Sequence, residues 1–190
     1  AIRKFVSKLN RVAPCRLRMV GKIETLHQQE YKGKRVHLSL TDEMDFSIQT
    51  KVDIGVHTRA DVAQSDLSFR VVTDNEAVEL LANPPEQIFV EKLKSLLRFG
   101  SASTRFKDIY DMCYLLGILN RDLLNTYLKL YIYDDALMRE NVLSDIDKRL
   151  HRVFGDKSFI RALSNPTNAW LDVPTDKATS ELLSFLSSLA

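Results

Sequence analysis

Ile2, Phe5, Val6, Leu9 and Val12 recur at helical spacing, and Pro14 ends the pattern. From Cys15 to about Val72 the period shortens to two. Leu17 and Met19 come first, then Val36, Leu38 and Leu40, then Phe46, Ile48, Val52, Ile54 and Val56, and last Phe69 and Val71. Short alternating runs of this kind predict an antiparallel sheet with an apolar face turned inward. Residues 41–45 separate two runs closely enough for a hairpin, and the polar tract 31–35, with Gly33, predicts another turn.

After Asn75 the pattern turns helical to the end. Pro84 and Pro85 open a helix reaching Phe99, because proline suits a first helical turn, and Gly100 is a good stop. Ser103 or Thr104 can cap a second helix over 105–116, and further amphipathic helices are predicted over 121–131, 136–153 and 175–189. The fold class is therefore α+β, with a sheet-forming portion 1–75 and a helical lobe 76–190. No repeat, low-complexity tract or flexible linker divides them, which predicts two lobes of one unit.

Several charges sit where this pattern does not expect them. Placing Val52, Ile54 and Val56 on one strand face puts Lys51, Asp53, Gly55 and His57 on the other. Asp53 is thereby presented on a surface. Alternation alone makes this a solvated sheet face, and His57 supports nothing stronger; Gly55 suits a bulge or a close approach of ligand to backbone. On the helix 85–99, Phe89, Leu93, Leu96 and Leu97 form an apolar sector with Ile88 at its edge, and Lys92 falls between Ile88 and Leu96. Glu91, Lys94 and Arg98 take the polar side. An ammonium against an apolar wall either snorkels to water or meets an anion.

The next helix repeats the anomaly. Ile109, Met112, Cys113 and Leu116 define its apolar sector, yet Asp108 projects beside Met112 and Leu115, and Arg105 falls in the same arc. Lys107 and Asp111 take the solvent side. Arg105 and Asp108 lie one turn apart, so an ordinary surface ion pair competes with a polar pocket shared between the two helices. In such a pocket Lys92 would hold a polyphosphate while Asp108 orients that lysine or contributes to a metal site.

Composition narrows the classes without choosing among them. A chain of 190 residues, 45% hydrophobic and 27% charged, can bury a sizeable core. Its only cysteines are Cys15 and Cys113, the latter inside an apolar pattern where a thiol acts as a small hydrophobe, which argues against a disulfide framework or zinc site. No apolar run approaches the roughly 20 residues of a membrane span, and no secretory core opens the chain, so a cytoplasmic protein is expected. A net charge of +2 does not by itself point to nucleic acid.

The stretch Pro85-Glu86-Gln87-Ile88-Phe89-Val90-Glu91-Lys92-Leu93 is followed at short distance by Thr104-Arg105-Phe106-Lys107-Asp108-Ile109-Tyr110-Asp111-Met112. Together they resemble the signature of the AbiEii/AbiGii nucleotidyltransferase family, relatives of the MenT toxins, and Lys51-Val52-Asp53-Ile54-Gly55-Val56 is similar to that family's sheet motif. The resemblance implies an incomplete polymerase-β-like nucleotidyltransferase sheet, antiparallel or mixed, followed by a helical C-terminal lobe. The implied reaction transfers a nucleotide from an NTP to an RNA, tRNA among the candidates, or to a protein, with Mg²⁺ bridging carboxylates and phosphates. Lys92 would grip the NTP phosphates, Asp108 would support the site, and Asp53 would be the strand carboxylate near the metal. Arg105 is a weaker candidate for phosphate or for pairing with Asp108, and Asp111 reads as a surface charge. A cognate antitoxin, NTP and RNA are the implied partners, in a toxin–antitoxin or phage-defence role.

The sequence departs from the family at one motif. A Gly-Gly or Gly-Ser turn followed by an Asp-x-Asp pair, which binds triphosphate and metals, is not found; Asp42 and Asp45 have the wrong spacing and no preceding glycine turn. Because the pattern opens in mid-helix, this motif is expected upstream of Ala1, and the chain as given is expected to be weakly active or inactive. The alternative is a catalytically silent paralogue or fragment retained as a protein-interaction module. A plain RNA-binding domain is disfavoured by the near-neutral charge and the lack of an aromatic RNA-reading motif.

Overall fold

The alternating half folds as a three-stranded antiparallel sheet, in order β1-β2-β3, from β1 (Arg16–Thr25), β2 (Lys34–Thr41) and β3 (Ser47–Ile54). The computed structural model describes residues 2–11, 15–26, 33–55, 64–70 and 77–189. Val12, Pro14, Tyr31, Val56, His57, Val71 and Val72 of the sequence reading lie outside them. The chain divides into two units, Ala1–Val62 and Ala63–Ala190.

In the first unit, Asp42 closes the β2–β3 hairpin. Its carboxylate accepts from Met44 N and Phe46 N, each at 2.9 Å, while Asp42 N donates to Phe46 O at 3.0 Å. Asp45 takes φ 62°, a left-handed conformation that Asp tolerates better than most residues. The register of β1 on β2 slips between Val20 and Glu24, where Gly21 sits at φ 70°. The glycine-marked irregularity is thus in β1; Gly55, expected to mark a bulge or a ligand approach, simply follows the end of β3.

A helix α1 (Ile2–Leu9) packs on β1 and buries Val6 with Leu17, Val36 and Leu38, with Met19 and Leu40 at the rim. That cover ends before β3, every residue of which is exposed, Ile48, Val52 and Ile54 included. The expected burial of this strand's apolar face is corrected. One helix about 10 Å across spans two strands about 4.8 Å apart, not three.

The second unit opens with a separate antiparallel pair, β4 (Ser65–Arg70) and β5 (Ala77–Ala82). Here the helical reading after Asn75 is corrected: Ala-Val-Glu-Leu-Leu-Ala favours helix by propensity, but it pairs along its whole length with β4 and runs straight into Pro84 and Pro85. Among the described residues six α-helices follow: α2 (Pro85–Phe99), α3 (Lys107–Leu115), α4 (Arg121–Leu128), α5 (Leu143–Phe154), α6 (Lys157–Leu163) and α7 (Thr175–Ser187). The helix predicted over 136–153 forms only from Leu143, and α6, capped by Asp156 accepting from Ser158 N and Phe159 N, was not predicted.

α2 is the centre of this unit, packing against α3, α4 and a π-helical turn at Lys129–Tyr133, while α7 closes on α3 and α5. Phe89, Val90, Leu93, Leu96 and Leu97 of α2 are buried, each contributing about 1.5–3 kcal/mol by leaving water. Phe89 meets Phe185 edge to face at 6.0 Å. Tyr110 Oη lies 3.1 Å from Thr175 Oγ1, and the Cys113 thiol donates to Ala178 O at 3.1 Å. Burial pushes that thiol up to about 12, so it behaves as a packed apolar group.

Candidate functional site

Lys92 and Asp108, the two residues that break their helices' apolar patterns, are joined within the second unit. Lys92 Nζ donates to Asp108 Oδ1 at 2.8 Å and to Asp111 Oδ2 at 2.6 Å. Arg105 Nε donates to Asp108 Oδ2 at 2.5 Å. Asp108 therefore bridges two cations, one from each side. Its side chain is 11% exposed and that of Lys92 18%, against 59% for Arg105. Local structure explains the placement. Lys92 lies on α2 one turn from buried Phe89 and one from buried Leu96, and Asp108 lies in the first turn of α3, where unpaired backbone N–H groups favour a carboxylate.

The charges balance, two cations against two carboxylates, but the donors are not used up. An ammonium has three N–H groups and gives two to Asp108 and Asp111; a guanidinium has five and Arg105 gives its Nε–H, with no Nη bond among the described residues. The Arg105 guanidinium is open to solvent at 59% exposure, whereas Lys92 is mostly buried. Burial pulls the Lys92 ammonium down, but its hydrogen bonds to Asp108 and Asp111 outweigh burial and hold it above its ordinary value.

Asp111 was expected to be a surface charge. It accepts a hydrogen bond from Lys92, with its side chain 31% exposed. The signal available in the sequence was its position three residues after Asp108, which puts both carboxylates on neighbouring sectors of one helix. The polar side of α2 is likewise partnered: Lys94 Nζ meets Asp135 Oδ2 at 2.5 Å, and Gln87 Nε2 donates to Glu91 at 2.8 Å.

Asp53 belongs to the first unit. It stands directly opposite Arg35 in the β2–β3 register, and both its oxygens are engaged, by Arg35 Nε at 2.7 Å and Nη2 at 2.8 Å. The bond from Arg35 holds this carboxyl below its usual range. Among the described residues no group of three or more His, Cys, Asp or Glu side chains is placed to hold a metal ion, and Asp53 and Asp108 already spend both oxygens on cations. These residues as arranged do not fit a divalent metal.

The chain is α+β, and its helical unit holds a lysine and an arginine through one carboxylate. Residues 3–171 match the family described as Nucleotidyl transferase AbiEii toxin, Type IV TA system, and the chain belongs to that family. No curated protein matches the sequence. Among the described residues no helix is long and apolar enough to cross a membrane.

Proposed function

We propose that Lys92 and Arg105 grip the phosphates of an NTP and that the chain serves nucleotide transfer to an RNA acceptor, as a toxin paired with a cognate antitoxin. The bridging of Lys92 and Arg105 by Asp108 supports this reading. Catalysis of group transfer from a polyphosphate is mostly positioning and charge stabilisation, and donors locked before the ligand arrives need no reorganisation. Asp108 and Asp111 are positioning groups: they set the ammonium's direction and keep it charged. No role is proposed for Asp53, whose carboxylate is spent on Arg35, and no step is derived through a metal.

The test is NTP binding by the chain, measured by calorimetry, together with label transfer from a radioactive NTP into total RNA by the full-length gene product. Saturable binding that Lys92→Ala removes, with label in the RNA fraction, supports the reading. Absence of NTP binding by the parent chain refutes it.

One observation favours a second reading, a module for protein association. Ile48, Val52 and Ile54 are exposed along β3, an uncovered apolar strand face. Serine at these three positions would then weaken partner capture and leave NTP binding as it was.

A further inference from the structure

Tyr114 and Trp170 lie ring to ring on the surface of the second unit. Their centroids are 5.8 Å apart with the planes at 56°, yet Tyr114 remains 62% exposed and Trp170 48%. Two large aromatic side chains held together with so much ring area open to water present apolar surface free to meet a ligand.

Their position ties them to the cluster. Tyr114 is one turn beyond Asp111 on α3, and exposed Lys107 is one turn before Asp111. The outward face of α3 thus carries, in order, a cation, the carboxylate that holds Lys92, and an aromatic ring, each step about 4.5–6 Å along the axis. Trp170 reaches Tyr114 from the segment that leads into α7, beside an open hollow of about 430 Å³ edged by Pro166, Leu171 and Pro174.

We propose that Tyr114 and Trp170 form a stacking platform for an unpaired base of a single-stranded RNA, which places the acceptor strand beside the Lys92–Asp111 end of the site. The proposal rests on the nucleotidyl-transfer reading for its purpose but not for its binding chemistry. Aromatic faces stack on any base, and a nearby lysine serves the adjoining phosphate, the combination by which proteins hold single strands. The openness of the patch decides between a strand and the base of the NTP. Small-molecule sites enclose most of their ligand, whereas these rings lie on an open surface that a chain can run across.

Trp170 is the only tryptophan of the chain, so its fluorescence reports this patch alone. Titrating the 190-residue chain with a single-stranded hexauridylate is expected to quench that emission saturably. Tyr114→Ala should weaken the half-saturation about tenfold, and Tyr114→Phe should restore it. Quenching retained in a chain that binds no NTP would sink the transfer reading and leave the platform standing. The platform itself is overturned by any of three results: no quenching by the oligonucleotide, equal quenching by NTP alone, or a Tyr114→Ala variant that melts lower but binds the strand unchanged.

Discussion

Lys92 Nζ stands 2.6 Å from Asp111 Oδ2, nineteen positions along the chain and on the next helix. With Asp108 on its other side, the ammonium is clamped by two carboxylates. Removing the cation should therefore cost both binding and stability. For Lys92→Ala the expectation is loss of NTP affinity by about 10–100-fold and of stability by about 1–3 kcal/mol, because Asp108 keeps only Arg105. Asp111→Asn leaves the lysine and its bond to Asp108, so NTP affinity should hold within about threefold and stability fall by about 0.5–1 kcal/mol. Calorimetric titration and urea melts of the three proteins measure both quantities; a Lys92→Ala protein that binds NTP like its parent takes Lys92 out of the site.

The same clamp sets a pH dependence. Lys92 is raised above its ordinary value of 10.5 in the folded chain, so its stabilising contribution is complete below about pH 10.5 and is lost as pH climbs through the folded value. The stability difference between parent and Lys92→Met should accordingly stay flat from pH 7 to about 10 and shrink above it. Buried Tyr127 and half-buried Tyr133, each raised by burial, titrate in both proteins and cancel in the difference. A difference that shrinks instead between pH 7 and 9 would show that the ammonium is not held charged.

α2 was readable because it is long, amphipathic and marked by proline and glycine at its ends. The shorter α3 was readable from its apolar sector alone, the expected Ser103 or Thr104 cap giving way to Phe106, which caps nothing. Lys92 and Asp108 stood out against those sectors. Asp111 was not, since a carboxylate on a helix's polar side looks the same whether water or a lysine faces it. Tyr114 and Trp170 lie 56 positions apart, and no periodicity relates a helix to the segment before another. β5 was missed for a different reason: its composition favours helix, and only its pairing with β4 overrides that preference. The exposed face of β3 marks a third limit, because alternation shows that a face is apolar without showing what lies over it.

Asn120 joins α4 to α2. Its side chain accepts from Asp122 N at 3.0 Å and Leu123 N at 3.1 Å, and its backbone N–H donates to the buried carboxylate of Glu86 at 2.7 Å. Asn120→Ala removes only the cap and should cost about 1 kcal/mol, while Asn120→Asp retains it and should cost less than half as much. Glu86→Gln tests the other contact, which it can still accept. If denaturant midpoints of Asn120→Ala and parent coincide, α4 does not depend on this cap.

Gly100 ends α2 at φ 57°, with its N–H bonded to Leu96 O, and a β-carbon added there would lie 2.6 Å from Arg149 Nη2. Arg149 also reaches back to Leu97 O at 3.4 Å, so its guanidinium sits over the negative end of the helix. Alanine at this position meets two penalties, a left-handed backbone that a side chain disfavours and a cation that must move. Gly100→Ala should destabilise by about 1–2 kcal/mol. Gly117 provides the control, since it has an ordinary φ and nothing within 4 Å of the added carbon. Gly117→Ala should leave stability unchanged or raise it by about 0.5 kcal/mol through a less disordered unfolded chain. Adding Arg149→Ala to Gly100→Ala then separates the two penalties: if the double variant recovers nothing relative to Arg149→Ala alone, the cost lies wholly in the backbone and the guanidinium yields freely.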